Sequence, residues 1–183
     1  MKKTILTFGL ISGAVISGLM TLAMVFSNQI GFDRGLVVGY TSMVLSFLLV
    51  FFGVRAYRDN EGQGSITFGR AFGLGMCITL ISCVCYVATW EILYHFFMPD
   101  YFDKYAAHVI EKARAAGASA AALEAKAAQL RQAQAMYANP FINAAMTFIE
   151  PFPVGLLITL ISAAVLRRKP RVPSTGSAQP VSG

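Results

Sequence analysis

Four long apolar runs, separated by shorter polar segments, dominate the pattern of this chain. An α-helix needs about 20 mostly apolar residues to cross the ~30 Å hydrocarbon core of a bilayer. The pattern therefore predicts an all-α integral membrane protein built as a four-helix bundle. The first run continues to Phe26, beyond the roughly 7–15 residues of a signal-peptide core, which favours a retained span. The predicted spans are residues 5–26, 36–54, 72–98 and 141–166.

Residues 99–140, between the last two spans, are rich in Ala, Glu, Lys, Gln and Arg, which are strong helix formers. Gly117 interrupts this segment and Ser119 can cap a second helix, so we expect an extracytoplasmic helical hairpin. An apolar stripe recurs every seven residues, at Leu123, Leu130 and Tyr137. The stripe fits a hairpin that lies over the bundle. It also fits a surface for self-association or for a membrane-protein partner.

The composition and charge agree with a membrane protein. Hydrophobic residues make up 56% of the chain and charged residues 13%, against about 25% charged in soluble domains. The net charge of +6 does not indicate a nucleic-acid-binding protein, because the basic residues lie at the ends of the apolar runs. Placing both termini in the cytosol puts the Lys and Arg residues of the short flanks inside, as membrane topology favours. After residue 169, a segment rich in Pro, Ser and Gly predicts a disordered cytosolic tail over residues 170–183.

The sequence contains little that indicates enzymatic chemistry. Its three cysteines, Cys77, Cys83 and Cys85, share one apolar run and have neither a disulfide framework nor a zinc spacing. The glycines between Tyr57 and Gly75 lack the lysine and hydroxyl residue of a phosphate-binding loop. We therefore expect no catalytic, metal or cofactor site. The expected role is structural or based on association with other proteins.

A carboxylate stands beside two prolines inside the fourth apolar run, in the stretch MTFIEPFPVG. Pro151 and Pro153 each lack a backbone donor, and each disfavours helical geometry at the residue before it. We expect the fourth span to be kinked or broken around Glu150. Alternatively the span begins at Pro151, although about 24 Å of helix from there to Leu166 is short for a bilayer.

Two carboxylates lie at similar predicted depths, Glu150 about 13 Å and Glu91 about 10 Å from the outer ends of their spans. His95 follows Glu91 by one helical turn, and Asn143 and Thr147 share a face with Glu150. These five residues form a candidate intramembrane polar cluster. Ionisable residues inside membranes commonly mark ion or proton pathways, and broken helices hold ions in transporters. The alternative function is thus a small proton- or cation-coupled carrier that uses Glu91 and Glu150, whereas the favoured interpretation is a structural role, with the prolines setting a bend.

Two segments carry a resemblance to a known family. YRDNEGQGSITFGRAFGLG, from Tyr57 to Gly75, and EPFPVGLLITLISAAVLRRK, from Glu150 to Lys169, resemble the bacterial domain-of-unknown-function family DUF4199. The resemblance covers most of the chain up to Lys169 and implies a four-span protein of the bacterial inner membrane. It implies no activity and assigns no functional residue.

Overall fold

The computed structural model describes residues 1–168 and shows an all-helical chain over that range. The tail predicted for residues 170–183 lies outside the described residues. Four helical segments are long and apolar enough to cross a membrane: Lys2–Val25, Gln29–Asn60, Phe68–Phe97 and Pro140–Leu166. They confirm the predicted fold class and indicate a membrane protein. The α-helices are α1 (Lys2–Val25), α2 (Ser27–Asn60), α3 (Phe68–Ile92), α4 (Tyr101–Ala115), α5 (Ala120–Tyr137), α6 (Pro140–Ile149) and α7 (Pro151–Leu166), and a π-helical turn (Leu93–Phe97) follows α3.

The helices of membrane length form a four-sided bundle. Helix α3 packs against α1 and α7, helix α2 packs against the same two helices, and α6 continues the fourth side along α3. The outer faces of the bundle remain apolar, with exposed side chains such as Val37, Phe52, Val84 and Val165. A soluble protein rarely exposes so much contiguous hydrocarbon, so these faces fit contact with lipid tails.

Small residues allow the helices to approach closely, as expected where lipid removes the hydrophobic drive between them. A Cβ atom added to Gly13 of α1 would lie 2.6 Å from the Cys85 sulfur of α3. Buried hydroxyls join other helix pairs: Ser12 of α1 donates to the Ser46 carbonyl of α2 over 3.0 Å, and the Thr79 and Thr159 hydroxyls of α3 and α7 lie 2.9 Å apart. Packing and hydrogen bonding together therefore join α1, α2, α3 and α7.

The segment between α3 and α6 contains two helices that contact each other. Gly117, at φ +81°, makes the turn between α4 and α5 with a backbone conformation that other residues rarely adopt. Ser119 accepts a hydrogen bond from the Ala122 amide, so the predicted cap is confirmed. Gln134 of α5 donates to Asp103 of α4 over 2.8 Å. The extracytoplasmic location of this helix pair stays a prediction.

The two ends of the described chain meet at one end of the bundle, beside the loop after α2. The amino group of Met1 pairs with Glu61. Ile66 and Arg168 exchange two backbone hydrogen bonds of 3.1 and 2.9 Å. Residues 1 and 168 therefore lie at the same end, as an even number of crossings requires.

Candidate functional site

The fourth side of the bundle is interrupted at Glu150, as the sequence predicted. Helix α6 ends at Ile149, and α7 begins at Pro151, a favoured first-turn position because its missing donor is not needed there. Glu150 itself keeps helical angles, φ −68° and ψ −57°. The span thus begins before Pro151, with α6 supplying the length that α7 alone would lack.

Glu150 faces α3 and a cavity. The Tyr86 hydroxyl donates to Oε2 of Glu150 over 3.1 Å. Within residues 1–168, no Lys, Arg or His forms an ion pair with this carboxylate. A carboxylate in a membrane segment without a cationic partner is costly to keep ionised. Glu150 is therefore suited to take up a proton or a cation.

The cavity has a volume of about 480 Å³ and lies between α1, α2, α3 and α4, with Glu150 in its wall. Its size falls within the range of roughly 300–1,000 Å³ typical of small-molecule sites. One part of the wall is aromatic, formed by Tyr86, Trp90, Tyr101 and Tyr137. Another part is aliphatic and rich in methionine, formed by Ile16, Leu19, Met20, Met24 and Met43.

Charged and aromatic contacts between α2 and α4 lie at one end of the cavity, which we call the mouth. Asp33 of α2 pairs with Lys112 of α4, and His108 Nε2 lies 3.6 Å from Asp33 Oδ1. The Phe32 ring lies on the His108 ring, with 5.2 Å between their centroids. Gly31, at φ +72°, interrupts the helical geometry of α2 beside these contacts. At the mouth, α2 and α4 are therefore held together largely by contacts between side chains.

Asn143 and Thr147 take a supporting position beside the cavity. Asn143 is fully buried, and its Oδ1 accepts hydrogen bonds from Trp90 Nε1 over 3.0 Å and from the Thr147 hydroxyl over 3.2 Å. Trp90 and Thr147 line the cavity. Asn143 does not line it, but its hydrogen bonds hold both of these side chains in place. The predicted face of α6 therefore connects to the aromatic wall through hydrogen bonds.

Glu91 and His95 form a second group, outside the residues that line the cavity. His95 Nδ1 lies 3.3 Å from Glu91 Oε2 and 3.0 Å from the Glu91 carbonyl oxygen. Burial raises the pKa of Tyr137, and the nearby Glu150 and Glu91 carboxylates raise it further. The structure thus places Tyr137 near both acidic residues. The five predicted residues form two groups, and only Thr147 and Glu150 face the cavity.

Sequence reasoning did not identify Tyr86, Tyr101, Asp33 or His108 as residues of a site. Tyr86, Trp90 and Tyr94 recur every four residues and so share one face of α3, a signal that could have indicated an aromatic wall. No comparable signal joins Asp33 to His108, because 75 positions along the sequence separate them before folding brings them together. Within residues 1–168, no three His, Cys, Asp or Glu side chains come together as a set able to hold a metal ion.

A bundle of membrane-length helices indicates a helical membrane protein, and its cavity, with a carboxylate in the wall that is unpaired in the described chain, is a candidate site of small-molecule size. The chain belongs to the family described as Protein of unknown function (DUF4199), which it matches over residues 7–168. None of the curated proteins and none of the solved structures matches the chain. The family relation confirms the resemblance seen in the sequence and assigns no activity.

Proposed function

We propose that the protein is a non-enzymatic membrane carrier that moves protons across the membrane by way of Glu150, a movement to which the transport of a small ligand can be coupled. The observation that carries the proposal is the placement of Glu150. Its carboxylate lines a cavity, accepts a hydrogen bond from Tyr86 and has no ion-pair partner in the described chain. This placement favours a carrier over the structural or association role expected from the sequence.

The break between α6 and α7 supports the same function. Pro151 and Pro153 cannot donate to the carbonyls of Thr147 and Ile149, so these oxygens lack their usual helical partners. Freed carbonyls beside a carboxylate are a common arrangement at ion sites in transporters. A helix interrupted at this point can also change its angle at low cost. Binding at Glu150 would then alter the packing of α6 on α3.

Glu91 has a different place in this proposal. Its carboxylate pairs with His95 and does not line the cavity, so it has a partner that Glu150 lacks. We expect Glu91 to contribute to the fold of the π-helical turn rather than to transport. Glu91→Gln is therefore a matched control for Glu150→Gln, since both changes remove one charge from a membrane helix.

The experiment measures proton movement in liposomes that hold the purified protein and an internal pH-sensitive dye. An imposed membrane potential should drive proton entry through the wild type. Glu150→Gln should reduce the rate at least about tenfold, because a neutral amide cannot exchange a proton or a cation. Glu91→Gln should change it less than about threefold. A wild-type rate equal to that of empty liposomes, or equal rates in the wild type and Glu150→Gln, would refute the proposal.

A second candidate function is association of two copies through α5, as the sequence also predicted. No residue of α5 is fully buried, and Leu123 and Leu130 of its apolar stripe are only half-buried. A carrier with four spans also gains a larger transport pathway from a dimer. Charged replacements of Leu123 and Leu130 should convert dimers to monomers in light scattering. A wild-type mass of one copy would remove this candidate.

We propose that the membrane is the bacterial inner membrane and that both termini face the cytosol. The meeting of Met1 and Arg168 at one end of the bundle supports placing the termini on the same side. Basic residues at that end, Arg55 and Arg58 among them, agree with a cytosolic location. Alkaline phosphatase should be active when inserted at Gly117 and inactive when fused after Gly183. The opposite pattern would reverse the orientation.

A further inference from the structure

We infer that the ligand of the cavity is a lipophilic organic monocation, with its charged group at Glu150 and its apolar body against the methionine-rich wall. This inference rests on the proposed function, since it names the class of ligand for the same site. It follows from three features of the wall: its charge, its aromatic rings and its aliphatic part. Each feature excludes a different class of ligand.

The charges around the cavity favour a cation. Lys112 pairs with Asp33 at the mouth, and Lys104 lies 2.7 Å from Asp100. These two lysines line the cavity, but their charge is balanced by the carboxylates beside them. Glu150 keeps an unbalanced carboxylate. An anion would have to displace an existing ion pair, whereas a cation would find an available partner.

The aromatic part of the wall favours an organic cation over a metal ion. The Trp90 and Tyr101 rings lie 5.2 Å apart and nearly perpendicular, so together with Tyr86 they present both ring faces and ring edges. Ring faces attract organic cations, with the largest effect for tryptophan. A hard metal ion would instead need six or more oxygen ligands. This part of the wall consists mainly of aromatic rings, with few oxygen atoms beside them.

The aliphatic part of the wall favours a bulky apolar body of variable shape. Met20, Met24 and Met43 line this side, and methionine adapts to differently shaped ligands because its side chain is unbranched and polarisable. Gly35 and Gly39 of α2 also line it and have open space where a Cβ atom would stand. A strongly hydrated ligand such as a sugar would leave its hydroxyls without partners here.

Binding can be measured directly, because Trp90 is the only tryptophan of the chain and lines the cavity. The probes are tetraphenylphosphonium and tetraphenylborate, which share one shape and carry opposite charges. Tetraphenylphosphonium should change Trp90 fluorescence saturably in the purified wild type. Its affinity should fall at least about tenfold in Glu150→Gln, because the positive charge of the probe loses its partner. It should stay within about threefold in Glu91→Gln.

Two glycine variants test whether the probe occupies the cavity. Gly39→Leu places a side chain in the cavity and should weaken tetraphenylphosphonium binding. Gly73→Leu adds the same side chain to α3 at a position that also has open space but lies outside the cavity lining. It should leave binding unchanged. Equal effects of the two variants would show that the probe binds elsewhere and would overturn the inference.

The remaining outcomes separate this inference from the proposed function. Equal or tighter binding of tetraphenylborate would overturn the choice of a cation. Absence of binding by either probe, with proton movement that still depends on Glu150, would overturn the inference and leave the carrier proposal intact. Loss of both the binding and the Glu150-dependent proton movement would refute the two together.

Discussion

The hydroxyl of Tyr86 and the carboxylate of Glu150 lie 3.1 Å apart and join α3 to the junction between α6 and α7. This hydrogen bond reaches the junction itself, whereas the Trp90–Asn143 bond joins α3 to α6 and the Thr79–Thr159 bond joins α3 to α7. It also fixes the carboxylate in the cavity wall. The stability of this junction should therefore depend in part on the phenol group of Tyr86.

We expect Tyr86→Phe to lower the free energy of unfolding by about 1 kcal/mol, the usual net contribution of a hydrogen bond. Tyr40→Phe removes the same atom from an exposed position outside the cavity lining and is the matched control. Thermal unfolding of the detergent-purified protein compares the two variants. A change in Tyr40→Phe as large as that in Tyr86→Phe would show that the contact with Glu150 contributes nothing.

The contact between α1 and α3 should depend on the size of residue 13. Gly13→Ala is expected to destabilise the protein by about 1–3 kcal/mol, because its Cβ would overlap Cys85. Gly18→Ala on the same helix meets open space and should be neutral or slightly stabilising. The change in the free energy of unfolding is measured for both variants by unfolding of the protein in detergent. If the two alanine variants unfold at the same temperature, the close approach at Gly13 does not hold.

The mouth of the cavity should open more readily when its ion pairs are removed. Asp33→Asn weakens the contacts with Lys112 and His108 and should raise acrylamide quenching of Trp90 about twofold. Asp59→Asn removes comparable contacts with Arg55 and Arg58 at the opposite end of α2. It should leave the quenching constant unchanged. No rise in Asp33→Asn would mean that these contacts do not close the cavity.

Stability should fall at high pH because of Tyr101. Burial raises the pKa of this phenol from 10.0 to about 12, with the nearby Tyr137 and Glu150 adding to the effect. Above its ordinary pKa the unfolded chain releases the proton while the folded chain retains it, so the free energy of unfolding decreases as pH rises from 10 to about 12. Over this pH range the unfolding temperature of Tyr101→Phe should fall less than that of the wild type. Parallel pH profiles would contradict the prediction.

Much of the fold could be predicted because the bilayer restricts the possible structures. An apolar run of the right length crosses the bilayer as a helix, because each backbone group must find its hydrogen-bond partner within the segment. The proline pair likewise predicted the break at Glu150 from local chemistry alone. Ser119 was predicted as a cap for the same reason, because capping depends on residues two or three positions away.

The candidate site could be predicted only in part. Thr147 and Glu150 face the cavity as part of the predicted polar face, whereas Glu91 and His95 pair with each other outside it. Helical periodicity places residues on a shared face of one helix but does not give the rotation of that helix against its neighbours. Tyr86, the partner of Glu150, was missed for this reason.

The sequence by itself determined the number of membrane-length helices, the interruption at Glu150 and the family, because these depend on composition and on neighbours along the chain. Only the tertiary structure decided that Tyr86 reaches Glu150, that Asp33 meets Lys112 and that a cavity lies between them. The physical reason is that helix rotation and close approach follow from small-residue packing among several helices at once. Such packing is a property of the whole bundle rather than of any one segment.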